Sequence, residues 1–295
     1  MKDLAIIGAG RLGISLASAF SRVGIDLVIG SRDIKSTRAR LKDLTTENID
    51  VTSASDAAVN ANNILITVSD DQIQSVASEL NSNLNESKSV AHCSGAHTAA
   101  ILDKVLNGLT LNASIHPLNT FPSSEAGIRL LQNPHHATTC FSEGHPVALS
   151  TFEALFRRAG FHCERIDSDQ KVRYHTACVM ACNYLVALID ASTETAGLDP
   201  KTFQHALIPI LQSTVENIAK YGTKDSLSGP IRRGDLGTIQ DHFDALSGME
   251  EESRLRRIYQ ALGAQAVTMV SSDLSEAAID LPALTALFSE PDPQQ

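Results

Sequence analysis

The chain has no tryptophan, and aromatic residues make up only 4% of its 295 positions. That leaves little from which to build a platform for stacking nucleic-acid bases. Basic charge is also short: 24 Lys and Arg face 34 Asp and Glu, for a formal net charge of −10. No basic stripe is available to neutralise phosphates, which argues against nucleic acid as a partner. Cysteine is sparse and odd in number, with five residues lying mostly in apolar segments. Reduced thiols in a cytoplasm are expected rather than a disulfide frame. Long hydrophobic runs are missing too. The most apolar stretch, Ala177 to Ile189, is short for a bilayer and is interrupted by Asn183. Met1-Lys2 leads directly into an apolar strand, so no leader segment is expected. Hydrophobic residues at 43% and a length of 295 suit two soluble domains and no membrane partner.

What is present begins at once. Leu4 to Ile7 is an apolar run that feeds into Gly8, Gly10 and Gly13, and Ile14 to Phe20 reads as a helix. The spacing is G-x-G-x-x-G between a strand and a helix, the setting in which that motif binds a dinucleotide. Gly8 allows the tight turn, Gly10 lets a pyrophosphate approach the backbone, and Gly13 lets the helix pack on the strand. The phosphates then meet free N–H groups at a helix N-terminus. The second strand, Asp26 to Ile29, runs into Gly30-Ser31-Arg32. The acid that holds ribose hydroxyls in NAD enzymes is missing there. A small residue, a hydroxyl and a guanidinium suit a 2′-phosphate, so NADP is the expected coenzyme. Arg11 inside the loop adds charge or covers the adenine.

Strands alternating with helical segments predict a doubly wound parallel sheet up to about Asp167, ending with strands at Ala137–Phe141 and Cys163–Ile166. Ligands bind outside the carboxyl ends of such strands. Val68, Ser69 and Ser94, with Arg11 and Leu12 of the glycine loop, are therefore assigned to the coenzyme. Beyond Asp167 the pattern is helical, apart from a possible strand at Ala266–Val270. Residues 1–167 are read as a dinucleotide-binding domain and 168–288 as a helical substrate and dimerisation domain. Residues 289–295 are expected to be a disordered tail.

Three constellations carry candidate chemistry. Ile115-His116-Pro117-Leu118 places an imidazole at the mouth of the sheet, where it can act as acid or base near neutral pH. Lys171, His175, Val179 and Asn183 are spaced by four, so the polar members share one broad face of a long apolar helix. A buried Asn or His needs partners, and that face is read as a pocket wall. His175, Cys178 and Cys182 lack a fourth ligand, so no metal is expected. Finally, Ser228 to Asp235 contains a Gly-Pro turn, an N-cap at Asp235, and Arg233, whose fork could hold a substrate carboxylate.

These motifs together resemble the Rossmann-like oxidoreductases whose C-terminal half is known only as a domain of unknown function. The shared stretches are GAGRLG, Ile115 to Leu118, K-V-R-Y-H-T-A-C-V-M-A-C-N at Lys171–Asn183, and G-P-I-R-R-G-D at Gly229–Asp235. That group is similar to deazaflavin-dependent NADP oxidoreductases, ketopantoate reductase, pyrroline-5-carboxylate reductase and the 6-phosphogluconate dehydrogenase superfamily. The resemblance implies an α/β fold: a doubly wound Rossmann domain followed by an all-helical C-terminal domain. It also implies a homodimer, an active site between the domains, and NADP binding by Gly8, Gly10, Gly13, Ser31 and Arg32. β-Hydroxyacid dehydrogenases carry Asn four residues after a catalytic Lys, whereas His175 stands there after Lys171.

The expected function is an NADPH-dependent oxidoreductase reducing a small C=O or C=N substrate that carries a carboxylate. His116 or His175 donates the proton, with Lys171 an alternative; Asn183 orients the substrate and Arg233 holds its carboxylate. The competing readings are a non-catalytic NADP-binding sensor and hydride exchange between NADP and a deazaflavin.

Overall fold

A computed structural model of the chain describes residues 1–84, 88–106, 108, 110–133, 138–249, 251–276 and 280–289. Most of the expected tail lies outside them. The chain divides into two compact units, Met1–Asn183 and Tyr184–Gln295.

The first unit is built on an eight-stranded sheet. Its strands are β1 (Lys2–Ile7), β2 (Leu27–Gly30), β3 (Asp50–Thr52), β4 (Ala61–Ile66), β5 (Ser89–His92), β6 (Leu111–Pro117), β7 (Thr139–Gly144) and β8 (His162–Arg165). The spatial order is β3-β2-β1-β4-β5-β6-β7-β8. The strands from β3 to β6 in that order are parallel. Among the described residues, seven α-helices join them: α1 (Arg11–Arg22), α2 (Ile34–Leu44), α3 (Ala54–Val59), α4 (Ile73–Leu80), α5 (Ala100–Leu106), α6 (Ser124–Gln132) and α7 (Pro146–Arg158). Alternation along β1 divides the core. Leu4 and Ile6 pack on one face with Ile14, Phe20 and Phe156, while Ala5 and Ile7 pack on the other with Ala57, Ile66 and Ile73.

The sheet departs from the expected all-parallel winding at one place: β7 runs antiparallel to β6, and β8 is parallel to β7. Pro117 at the end of β6 pairs with Cys140 at the start of β7. Helix α6 therefore leaves and returns at the same end of the sheet, packed on α1, instead of crossing the sheet as a parallel connection must. Buried Glu153 on α7 fastens this edge. It accepts hydrogen bonds from the Ser142 hydroxyl on β7 at 2.9 Å and from Arg165 on β8 at 3.0 Å.

Helix α8 (Lys171–Cys178) follows the sheet and passes through one π-helical turn, Val179–Asn183, into α9 (Tyr184–Ala196). A 3₁₀ turn at Ser168–Gln170 leads directly into these three, so Ser168–Ala196 is a 29-residue helical run, long and apolar enough to cross a membrane by length and composition alone. The most apolar stretch, Ala177–Ile189, lies within it.

The second unit continues with α10 (Pro200–Ser226), α11 (Pro230–Arg233), α12 (Leu236–Leu246), α13 (Glu252–Glu276) and α14 (Leu281–Leu287). Asp235 caps α12 as expected, accepting from the Thr238 N–H at 3.1 Å. The strand expected at Ala266–Val270 is instead part of α13. Val267 and Val270, three residues apart, are buried with Ile239, Phe243 and Leu284, which is helical periodicity. Large apolar side chains on α9 and α10 stay exposed, among them Tyr184, Val186, Ile210 and Val215.

Two glycines of the first turn make opposite demands. A Cβ on Gly13 would stand 2.0 Å from the Gly8 carbonyl oxygen, whereas on Gly10 it would meet only Thr67 O at 3.9 Å. Gly13→Ala should therefore destabilise the protein by about 3 kcal/mol or more. Gly10→Ala should change stability by less than about 1 kcal/mol. Urea midpoints of the two variants test the contrast, and equal midpoints would refute it.

Candidate active site

Gly8, at φ 118°, turns the chain off β1, and the Thr67 hydroxyl from the end of β4 donates to its carbonyl oxygen at 2.9 Å. Gly10 begins α1 with no side-chain cap, and the first turn carries no acid. The N-terminal N–H groups of α1 are thus left for an anionic ligand. Arg11 and Leu12 follow, Arg11 exposed. The turn is open enough to admit a pyrophosphate: a Cβ at Gly10 would meet only Thr67 O at 3.9 Å. Arg40 on α2 was not singled out from the sequence. Its guanidinium donates to the Ala9 carbonyl at 3.0 Å and the Ser124 hydroxyl at 3.1 Å, bracing the loop against α6.

At the end of β2, the Ser31 hydroxyl accepts from the Asp33 N–H at 3.2 Å and lies 2.9 Å from the Thr37 hydroxyl. Asp33 is engaged as the cap of α2, accepting from the Ser36 N–H at 2.9 Å. Arg32 is exposed beside it. Gly30 serves packing: a Cβ there would fall 2.9 Å from Ala54 Cα of α3. The room it makes is filled by a helix, not by the phosphate for which it was read.

The ends of β4 and β5 are tied together. Ser94, buried, donates its hydroxyl proton to Asp70 at 2.8 Å and accepts from the N–H groups of Ala96 and His97. Val68 and exposed Ser69 lie just past β4. His92 is wholly buried. Its Nδ1 accepts from the Ser94 N–H at 3.2 Å, and its Nε2 lies 3.1 Å from the Thr98 carbonyl. A backbone N–H can only donate and a carbonyl only accept, so the His92 proton sits on Nε2. Burial pushes its pKa down to about 4.

The polar centre lies where β5 and β6 meet α8. His116 is inside β6 rather than after it, paired with Phe141. Its Nδ1 is 2.9 Å from the Tyr174 hydroxyl. The rings of His116 and His175 meet edge to face at 5.6 Å. Gly95 is what admits them both. A Cβ there would lie 2.2 Å from His175 Nδ1 and 3.0 Å from His116 Nε2. Burial, and next the charge of Lys171, push the pKa of His116 down to about 4. Burial also raises the Tyr174 phenol, so both groups are neutral at pH 7.

Lys171, the first residue of α8, is 0% exposed. Neither its Nζ nor His175 Nδ1 has a hydrogen-bond partner among the described residues. Burial lowers the Lys171 pKa, and the charge of Glu143 opposes that most. Glu143 is itself buried, accepting from the Ala99 N–H and from the Ser168 hydroxyl, each at 2.7 Å. A different buried lysine shows how such a group is ordinarily satisfied: Lys88 donates to the carbonyls of Ala58, Val59 and Ala61 at 2.7, 3.2 and 2.6 Å.

The structure thus brings together His116, Lys171 and His175, with Ser94 close by in the same loop as Gly95. It does not bury Asn183, which is exposed in the π-helical turn. The pocket face expected from fourfold spacing reaches only to His175. Arg233 belongs to the second unit, on α11, with its guanidinium 3.9 Å from Asp235. Among the described residues no group of three or more His, Cys, Asp or Glu side chains is placed to hold a metal ion. Sequence reasoning missed Tyr174, Glu143 and Asp70. Tyr174 had a signal, as the neighbour of His175 in the quoted run, but Glu143 and Asp70 had none beyond their positions at strand ends.

Comparison with known proteins agrees with this organisation. Residues 2–117 match the Rossmann-like domain family, and residues 138–266 match the family described as Domain of unknown function (DUF2520). No curated protein matches the sequence at a significant level. Protein TM1727 from Thermotoga maritima has a similar structure at 23% identity and TM-score 0.66, covering 92% of this chain and 99% of its own. BF3122 from Bacteroides fragilis is 19% identical at TM-score 0.72, covering 90% and 97%. The pyrroline carboxylate reductase of Plasmodium falciparum, solved with NADP bound, is 14% identical at TM-score 0.57, covering 98% of each chain. At these identities the likeness is one of fold.

The two neutral histidines predict an acid-labile fold. Their folded pKa of about 4 lies below the ordinary 6.5. As pH falls, the unfolded chain therefore takes up the protons first. Stability should be complete above pH 6.5 and drain between 6.5 and 4, by on the order of 3 kcal/mol per histidine. Urea midpoints across that range should fall less steeply in His92→Gln. An unchanged slope would show that His92 is not held neutral.

Proposed function

From a chain that joins a Rossmann-like domain to a DUF2520 domain, we propose an NADPH-dependent oxidoreductase that reduces a small carbonyl or imine compound carrying a carboxylate. One observation carries the reading. A wholly buried lysine amine, with no hydrogen-bond partner among the described residues, lies with two abutting histidines in the same unit as the uncapped glycine loop. A buried amine without partners costs free energy that a structural role does not return. Perturbed ionisable groups gathered at strand ends mark a reaction site.

Gly8, Gly10, Arg11, Leu12 and Gly13 would hold the pyrophosphate, Ser31 and Arg32 the 2′-phosphate, and Val68, Ser69 and Ser94 the strand-end part of the coenzyme. NADPH supplies the hydride when bound. Lys171, as an ammonium ion whose pKa burial has lowered, is the best proton source of the set, because His116 is neutral at pH 7 and can offer the substrate a hydrogen bond but not an acidic proton. His175 lines the substrate beside Gly95. Arg233, in the second unit, is the candidate for its carboxylate, and Asn183, exposed in the π-helical turn, takes no role in this reading. The exposed apolar side chains of α9 and α10 support a homodimer, the sparse, odd-numbered cysteines support a reducing cytoplasm, and the net charge of −10 supports a protein without nucleic-acid partners.

Titration calorimetry tests the coenzyme. NADPH should bind at least about tenfold more tightly than NADH, since charge-assisted contacts to a phosphate are worth that much. Arg32→Ala should bring the ratio near one, whereas equal affinities in the parent protein would remove the NADP assignment. NADPH oxidation with a panel of keto acids and cyclic imines tests the reaction. Tight binding with no oxidation would favour a sensor. Lys171→Met should abolish turnover while stabilising the fold by about 1–3 kcal/mol, because an unpartnered buried charge is replaced by an apolar chain. A destabilised variant would mean the amine is structurally paired.

A further inference from the structure

His92 is buried and His116 half-buried, and both are neutral, but only His92 has its proton placed by backbone partners. His116 Nδ1 faces the hydroxyl of Tyr174 at 2.9 Å, and either group can donate. The chemistry of the pair decides the direction. A phenol O–H is a stronger acid than a neutral imidazole N–H, and an imidazole nitrogen is a better acceptor than a phenol oxygen, so the phenol donates and the ring nitrogen accepts.

We propose that Tyr174 is a positioning residue whose hydroxyl donates to His116 Nδ1, holding His116 as the tautomer with its proton on Nε2, beside Gly95. Nε2 is the free end of the ring: it borders the same space as His175 Nδ1, the space that a side chain at position 95 would fill. Phe141 packs on Tyr174 with ring centroids 4.7 Å apart, and the His116 and Tyr174 rings meet at 78°. The phenol is therefore clamped between β7 and β6. A neutral imidazole so held is a directional donor. It suits an atom that accepts a hydrogen bond, as a ketone or aldehyde oxygen does, and it opposes an iminium nitrogen that carries a proton already. This deepens the reductase reading. It rests on that reading for the substrate class only, because the tautomer exists without substrate.

Long-range proton–nitrogen correlation on the uniformly ¹⁵N-labelled full-length protein at pH 7.5 reads the tautomer directly. The His116 signals are identified by their loss in His116→Gln. The expected result is a protonated Nε2 and a hydrogen-bonded, unprotonated Nδ1. In Tyr174→Phe the Nδ1-protonated form should gain about tenfold relative to Nε2–H, roughly what one hydrogen bond contributes. A parent protein with the proton on Nδ1 overturns the proposal, and this result stands even if Tyr174→Phe fails to fold. His116 signals that the variant leaves unchanged overturn it as well. NADPH oxidation with 2-oxo acids against a protonated cyclic imine then separates the two claims. Oxidation by the 2-oxo acids supports the carbonyl class. Oxidation by the imine alone overturns the substrate class, and oxidation by neither overturns the reductase reading.

Discussion

Helix α1 lies one van der Waals contact from the carbonyl of the turn that feeds it, and that approach sets everything downstream. Any side chain at Gly13 would occupy the space of the Gly8 oxygen and crowd the Thr67 hydroxyl at 2.6 Å. Thr67 in turn donates to Gly8 O and, at 3.3 Å, to Ile7 O. The end of β4 is thereby locked to the end of β1, and the neighbouring strand ends β5 and β6 come into register with both. The glycine loop and the histidine centre belong to one rigid edge because a single atom is missing at residue 13.

Two lysines show how differently the same burial can be resolved. Lys88 gives its three protons to three carbonyls around the end of α3 and so closes that turn. Lys171, equally buried, gives them to no described residue. Desolvation opposes the charge in both. In the first case, hydrogen bonds offset the cost within the fold. In the second, the Coulombic pull of Glu143 opposes the cost, without a hydrogen bond to any described residue. That asymmetry separates a structural cation from a candidate reactive one more sharply than any sequence motif here.

Legibility followed the range of the forces involved. The roles of Gly8 and Gly13 could be read because strand, turn and helix sit within ten residues. So could the caps, where Asp235 bonds the N–H three residues ahead. The grouping of Lys171 with His175 followed from helical spacing alone. What lay beyond reach depended on distant partners. Apolar alternation marks β7 as a strand but carries no direction, so its antiparallel run depends on where α6 packs. Asn183 sits on the spacing of a buried face, yet a π-helical turn and missing neighbours leave it in solvent. Gly30 looked like room for a ligand because α3, which fills it, begins 24 residues later in the chain.

The chemistry of the site turns on one cation, Lys171, with His92 and His116 near it kept uncharged by burial. Three positive charges there would repel one another and would need carboxylates to balance them. The two carboxylates nearby are already engaged: Asp70 with the Ser94 hydroxyl, and Glu143 with the Ala99 N–H and the Ser168 hydroxyl. Keeping His92 and His116 neutral avoids that repulsion and leaves the Coulombic pull of Glu143 to Lys171 alone. A neutral ring costs less to bury than a charged one, but it gives direction only if its proton is placed. His92 has backbone groups to place it. His116, whose Nε2 end stays free, has Tyr174. The tyrosine is therefore best understood as the means by which a half-buried histidine keeps a donor aimed outward without carrying charge.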